Sequence, residues 1–147
     1  MDEKVGREPN PIHLSARFAC QDLVIEVFNL IDAGAASEAR ALFTQDGVHS
    51  LNGVAHAADA LTRFLDERQA MIERRTRHCI TNMSFSMRSE SSAEIKSIGM
   101  VYVLSSEDDL QRRIPRALID VRDAFRREGE GRWLINRRDV VIAAGGR

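Results

Sequence analysis

This chain has little cysteine, no excess of one charge, no long apolar run and no glycine-rich phosphate loop. Each absence removes a class of function. The two cysteines, Cys20 and Cys79, lie far apart with no CxxC or zinc spacing, so they read as small buried hydrophobes of a reducing compartment. The four histidines, at 13, 49, 56 and 78, form no HExxH or other tight His/carboxylate pattern, so neither a metal nor a cofactor is expected. A net charge of −1 speaks against nucleic acid as a partner. Arginines do cluster, as at Arg74-Arg75-Arg77 and Arg137-Arg138, but acids stand close by in sequence and the clusters read as solvated faces. No stretch approaches the roughly 20 apolar residues that cross a bilayer, and the charged opening MDEKVGREPNP is unlike a secretory signal. A cytoplasmic protein that avoids membranes is the expectation. GxSxG elbows, heptads and internal repeats are missing too.

What remains is an ordinary globular composition, 44% apolar and 29% charged, at the length of one domain. Residues 1–14 read as a flexible arm, 15–143 as a single domain and 144–147 as a tail. Ser15 is the expected N-cap of a first helix, whose apolar stripe runs through Ala16, Cys20, Leu23, Val24, Val27 and Ile31 until Gly34 stops it. Ser37 to Phe43 suggests a short second helix, and Asp46-Gly47 a turn. A short strand or hairpin follows, with Asn52-Gly53 at its tip, and then a third helix from Ala57 to about Arg75. Four long strands complete the chain, linked by a polar loop at 105–115 and a turn at 129–131. Gly99 marks an expected bulge in the second of these strands, where the apolar parity changes. Helices first and strands later predict an α+β domain, with about three helices wrapped by a curved antiparallel sheet.

The stretch TRHCITNMSFSM, residues 76–87, is the most informative. Met83, Phe85 and Met87 alternate as a strand with one face on a core, but His78 falls on the opposite parity. Either His78 points away from the core, or the chain shifts phase between His78 and Met83, as a bulge would make it do. An imidazole at the mouth of a sheet suits proton transfer; the alternative is a histidine satisfied by a backbone carbonyl. Glu26, at the margin of the first helix's stripe, either reaches a pocket or turns to water. Arg137 and Arg138 alternate, so one faces inward and the other does not.

Taken in order, VIEVFNLIDAG (24–34), ALFTQDGVH (41–49), the segment from Arg75 to Asn82 and GRWLINRRDV (131–140) resemble the SnoaL-like group of the nuclear-transport-factor-2-like cone fold. The resemblance runs from about Ser15 to Ile142. Many members carry Gly where Ala57-Ala58 stand here, and Tyr or Asp in helix one where this chain has Val and Glu. The resemblance extends to lindane dehydrochlorinase, scytalone dehydratase, ketosteroid isomerase and polyketide cyclases. It implies a catalytic trio of His78, Glu26 and Arg138 in one hollow: a base, the acid that orients it, and a cation opposite developing negative charge. Leu23, Val27, Phe43, Phe64 and Tyr102 are the expected walls, with His49 and Asn82 as polar contacts. The expected activity is that of a cofactor-independent lyase or isomerase acting on a small apolar or aromatic-like molecule. The alternative is a non-catalytic ligand-binding or accessory subunit, as in the β subunits of ring-hydroxylating dioxygenases. A homodimer or homotrimer is expected, because helices cover one side of such a sheet.

Overall fold

The computed structural model of the protein describes residues 10–104, 114–129 and 131–146. Helix α1 (Pro11–Asp32) starts four residues before the expected cap. Asn10 is the N-cap, its Oδ1 accepting from Ile12 N at 3.0 Å, and Pro11 occupies the first turn, where its missing N–H costs nothing. Proline here opens the helix rather than keeping the chain irregular. Residues 1–9, most of the expected arm, lie outside the described residues, as do residues 105–113 of the expected loop. Gly34, at φ +77, ends the helix region as expected.

A 3₁₀ segment (Ala36–Leu42) leads into β1 (Phe43–Leu51) and β2 (Val54–Ala57), then α2 (Asp59–Ala70). Asn52 and Gly53, both at positive φ, make the hairpin tip. Asp46-Gly47 is not a turn: it lies within β1, where the register against the last strand shifts. Helix α2 is also shorter than its sequence suggests. Ile72 is exposed and Arg75 is already paired to Leu104 in the next strand. The long strands are β3 (Arg75–Ser89), β4 (Ser92–Leu104), β5 (Ala117–Glu128) and β6 (Arg132–Gly145).

The sheet order is β2-β1-β6-β5-β4-β3. All pairs are antiparallel except β1 with β6, which run parallel. The sheet is therefore mixed, because the last strand returns beside the first rather than at an edge. Helix α1 packs against β3, β4 and β6, with Cys20, Val24 and Val27 meeting Ile95, Val121, Phe125 and Ile135 in the buried core. Burial of these aliphatic and aromatic side chains, each contributing about 1.5–3 kcal/mol, holds the layers together.

Two bulges decide what faces this core. In β3 the register slips between Thr81 and Ser84, with Asn82 at φ +52. This is the expected phase shift: Ile80 before it and Met83, Phe85 and Met87 after it all pack against the core. In β6 the register slips at Asn136, since Phe125 pairs with Ile135 and Ala124 with Arg137. Trp133 and Ile135 point inward before the slip, and Arg138 and Val140 after it. Gly99, by contrast, carries no bulge. Strand β4 alternates without a break against β5, and the apolar parity change reflects residues on its other face. Gly99 is small for another reason: a Cβ there would come within 2.7 Å of Ile119 and 3.0 Å of Ile80.

Candidate active site

Between α1, α2 and the inner face of the sheet lies a cavity of about 1140 Å³. Its apolar lining includes Phe28, Ile31, Leu51, Phe64, Val101, Ile119 and Val140; His49, Thr76 and His78 are polar groups within it, and Arg68 and Arg74 are among the charged ones. Such a mixture, apolar walls with a few polar groups, is that of a small-molecule site.

The α1 carboxylate that meets His78 is Asp32, the helix's last residue. His78 Nδ1 donates to Asp32 Oδ1 at 2.6 Å, and the His78 backbone N–H donates to Oδ2 at 2.8 Å. Thr76 Oγ1 donates to Oδ1 at 2.8 Å and itself accepts from Arg68 Nη2 at 3.0 Å. Burial alone would raise the Asp32 carboxyl, but the bonds from the His78 ring, the His78 backbone and Thr76 outweigh it, and its pKa falls below the ordinary carboxylate value. Asp32 is thus a carboxylate that holds a proton on Nδ1, so in the neutral form of the ring the lone pair lies on Nε2.

Glu26 takes no part in this. It is exposed on the outer side of α1, between inward-facing Val24 and Val27, and the expected pairing with His78 does not form. Asp32 was in plain view within the motif at 24–34. The signal that could have found it is position: a carboxylate at the end of a helix, just before a Gly stop, reaches beyond the helix's own face.

Arg138 is inward, as the trio requires, but it is not free. Only 1% exposed, it donates from Nε to Asp123 Oδ1 at 2.6 Å and from Nη2 to Asp123 Oδ2 at 3.0 Å, with a further bond from Nη2 to Val24 O. Asp123, fully buried, is the polar exception on the otherwise apolar face of β5, and sequence reasoning gave it no partner. Burial raises the Asp123 carboxyl, and the bidentate guanidinium opposes that rise. The Arg138 guanidinium also lies 4.6 Å from the centre of the Phe28 ring, and the His78 ring is 4.7 Å from it. One phenyl ring therefore links His78 and Arg138, while the acid expected between them lies elsewhere.

Of the expected walls Phe64 lines the cavity, as does His49 of the expected polar contacts. Val27 and Phe43 are buried in the core and Leu23 packs at its edge. Tyr102 alternates with cavity-lining Val101 and Val103, so it faces the other side of the sheet. Asn82, at the β3 bulge, lines a groove on that outer side with Lys96, Asp120 and Arg137. No group of three or more potential metal ligands occurs among the described residues.

The SnoaL-like domain family matches residues 13–139. The chain belongs to the SnoaL-like domain family. No curated protein matches it. Among solved structures, a protein from Catenulispora acidiphila in complex with S-DNPA shares 23% identity, with 88% of this chain and 94% of that one covered and a TM-score of 0.73. A nuclear-transport-factor-2-like protein with a cystatin-like fold from Novosphingobium aromaticivorans shares 18% identity, covering 95% and 94%, at TM-score 0.72. ActVI-ORFA from Streptomyces coelicolor shares 19% identity, covering 87% and 98%, at TM-score 0.73. The SnoaL-like chain thus has the cystatin-like cone fold.

Proposed function

We propose that the protein is a cofactor-independent lyase or isomerase in which His78 removes a proton from carbon and Asp32 holds it in the reactive tautomer. The observation that carries this reading is the 2.6 Å contact between the His78 ring and Asp32 at the wall of the cavity. A substrate C–H bond breaks as Nε2 takes the proton, and the electron pair moves onto an adjacent carbonyl or expels a leaving group. Asp32 balances the imidazolium that forms, and the proton is returned to product or solvent from Nε2. Arg138 is a positioning residue here. Its charge is balanced by Asp123, and it orients Phe28 against the histidine. The substrate is a small apolar molecule, in keeping with the cavity's lining.

The test is exchange of the α-hydrogens of a carbon acid such as β-tetralone in deuterated water, followed by NMR. Wild-type protein should accelerate exchange over buffer, and His78→Gln should lose on the order of 10²–10⁴ of that acceleration. Asp32→Asn should lose much of it as well. Unchanged exchange in His78→Gln would reject the base. We also infer self-association through the uncovered face of the sheet, where Ile98, Leu118 and Val141 on three adjacent strands are exposed. Sedimentation of the wild type should give a dimer or trimer, and Val141→Lys should shift it toward monomer. A monomer at micromolar wild-type concentration would exclude it.

A further inference from the structure

His49, on β1, lies on the cavity wall far along the sheet order from the His78 strand, and the proton-transfer reading leaves it unused. It is 8% exposed and lines the cavity, and its Nδ1 is buried with no hydrogen-bond partner among the described residues. A buried ring nitrogen without a partner carries a desolvation cost that a native fold rarely leaves uncompensated. Its register partner across the parallel pair is Arg138, whose Nη1 is likewise buried and without a partner among the described residues. Of these two neighbouring side chains, each with an unsatisfied polar atom, His49 lines the cavity and Arg138 lies behind it. The guanidinium can only donate, and the imidazole can donate from whichever nitrogen carries its proton. On the cavity wall, a donating imidazole complements an acceptor oxygen.

The charge balance narrows the choice of oxygen. Asp123 already neutralises Arg138 in a bidentate pair. Desolvation, reinforced by Arg138 and His56, pulls the His49 imidazole down to about 3, so it is neutral near pH 7. A carboxylate would enter this part of the cavity without a net countercharge and would lose its hydration. Phe64 stacks on the His49 ring at 4.6 Å and fixes its plane, and Leu51 and Val140 stand beside it as apolar wall.

We propose that His49 is a second recognition group of the cavity, donating a hydrogen bond to a neutral carbonyl or hydroxyl oxygen of an otherwise apolar ligand. This rests on the proposed site but not on its proton chemistry. His49 selects which molecules enter and how they lie, and His78 acts on the molecule so held.

The experiment compares binding of β-tetralone with that of tetralin, which has the same carbon frame without the oxygen, by NMR titration. Wild-type protein should bind the ketone at least about tenfold more tightly, as expected when a site's buried polar group is left unpaired by the wrong ligand. His49→Phe keeps an aromatic ring against Phe64 and should abolish that preference while binding tetralin as well as before. In the wild type, the ¹⁵N shifts of the His49 ring should move with ketone and not with tetralin, a measurement that needs no variant to fold. An unchanged ketone preference in His49→Phe, silent His49 nitrogens, or binding of neither probe would overturn the proposal. Tighter binding of tetralin-2-carboxylate than of the ketone would overturn the neutral class. If exchange catalysis fails while the ketone preference and its loss in His49→Phe hold, the base assignment falls and this one stands.

Discussion

Asp123 and Arg138 form a bidentate ion pair withdrawn from water, with side chains 0% and 1% exposed. Such a pair is weak evidence of stability by itself, since removing both charges from water offsets much of their attraction. Breaking it is a different matter. Asp123→Ala would strand a guanidinium in the core, and urea unfolding should register a loss of about 3–5 kcal/mol. The double variant Asp123→Leu/Arg138→Met should recover most of that, because apolar side chains need no partner. If the double variant were as unstable as the single one, the pair would be holding geometry that no apolar substitute reproduces. The residue scale is also where sequence reading was least able to see. Asp123 is a polar side chain on an apolar strand face, and its partner is 15 positions away. Glu26 and Asp32 differ by less than two helical turns, and the docking of α1 on β3 brings Asp32 rather than Glu26 to His78.

At the scale of elements, the backbone carries its own strain. Ala58 stands between β2 and α2 at φ +49 and ψ −122, a conformation that suits glycine and burdens a residue with a Cβ. Ala58→Gly should therefore raise thermal stability, by about 1 kcal/mol after the added freedom of glycine in the unfolded chain is subtracted. A lower melting temperature would mean that Ala58 packs to more effect than its backbone costs. The bulges belong to this scale as well. Parity along 76–87 demanded a phase shift, and Asn82 supplies it. Parity along 132–143 demanded that one of Arg137 and Arg138 face inward without saying which. The extra residue at Asn136 makes it Arg138, and that slip exists only because β5 offers one fewer residue in the pairing.

For the whole molecule, the buried neutral imidazole of His49 makes folding sensitive to acid. Its folded pKa of about 3 lies below the ordinary 6.5, so between those values the unfolded chain binds a proton that the folded chain refuses. Stability from this group is complete above about pH 6.5 and declines as pH falls toward 3, by up to about 1.4 kcal/mol per pH unit. Asp32, with its lowered pKa, pulls in the same direction but only in the carboxylate range. Urea unfolding between pH 7 and 5 should thus show falling stability in the wild type and a flatter profile in His49→Phe. Equal slopes would mean that His49 is open to water in the folded state.

By itself, the sequence determined the repeating features: an apolar stripe every three to four residues in α1, alternation in the strands, the stop at Gly34 and the turn at Asn52-Gly53. These follow from backbone periods and local φ preferences, which a neighbouring strand does not alter. Tertiary structure decided which carboxylate meets His78, which arginine turns inward, and that β6 lies parallel to β1. Each is settled by pairing or docking between segments far apart in the chain, where the energy belongs to a contact and neither partner carries its sign alone.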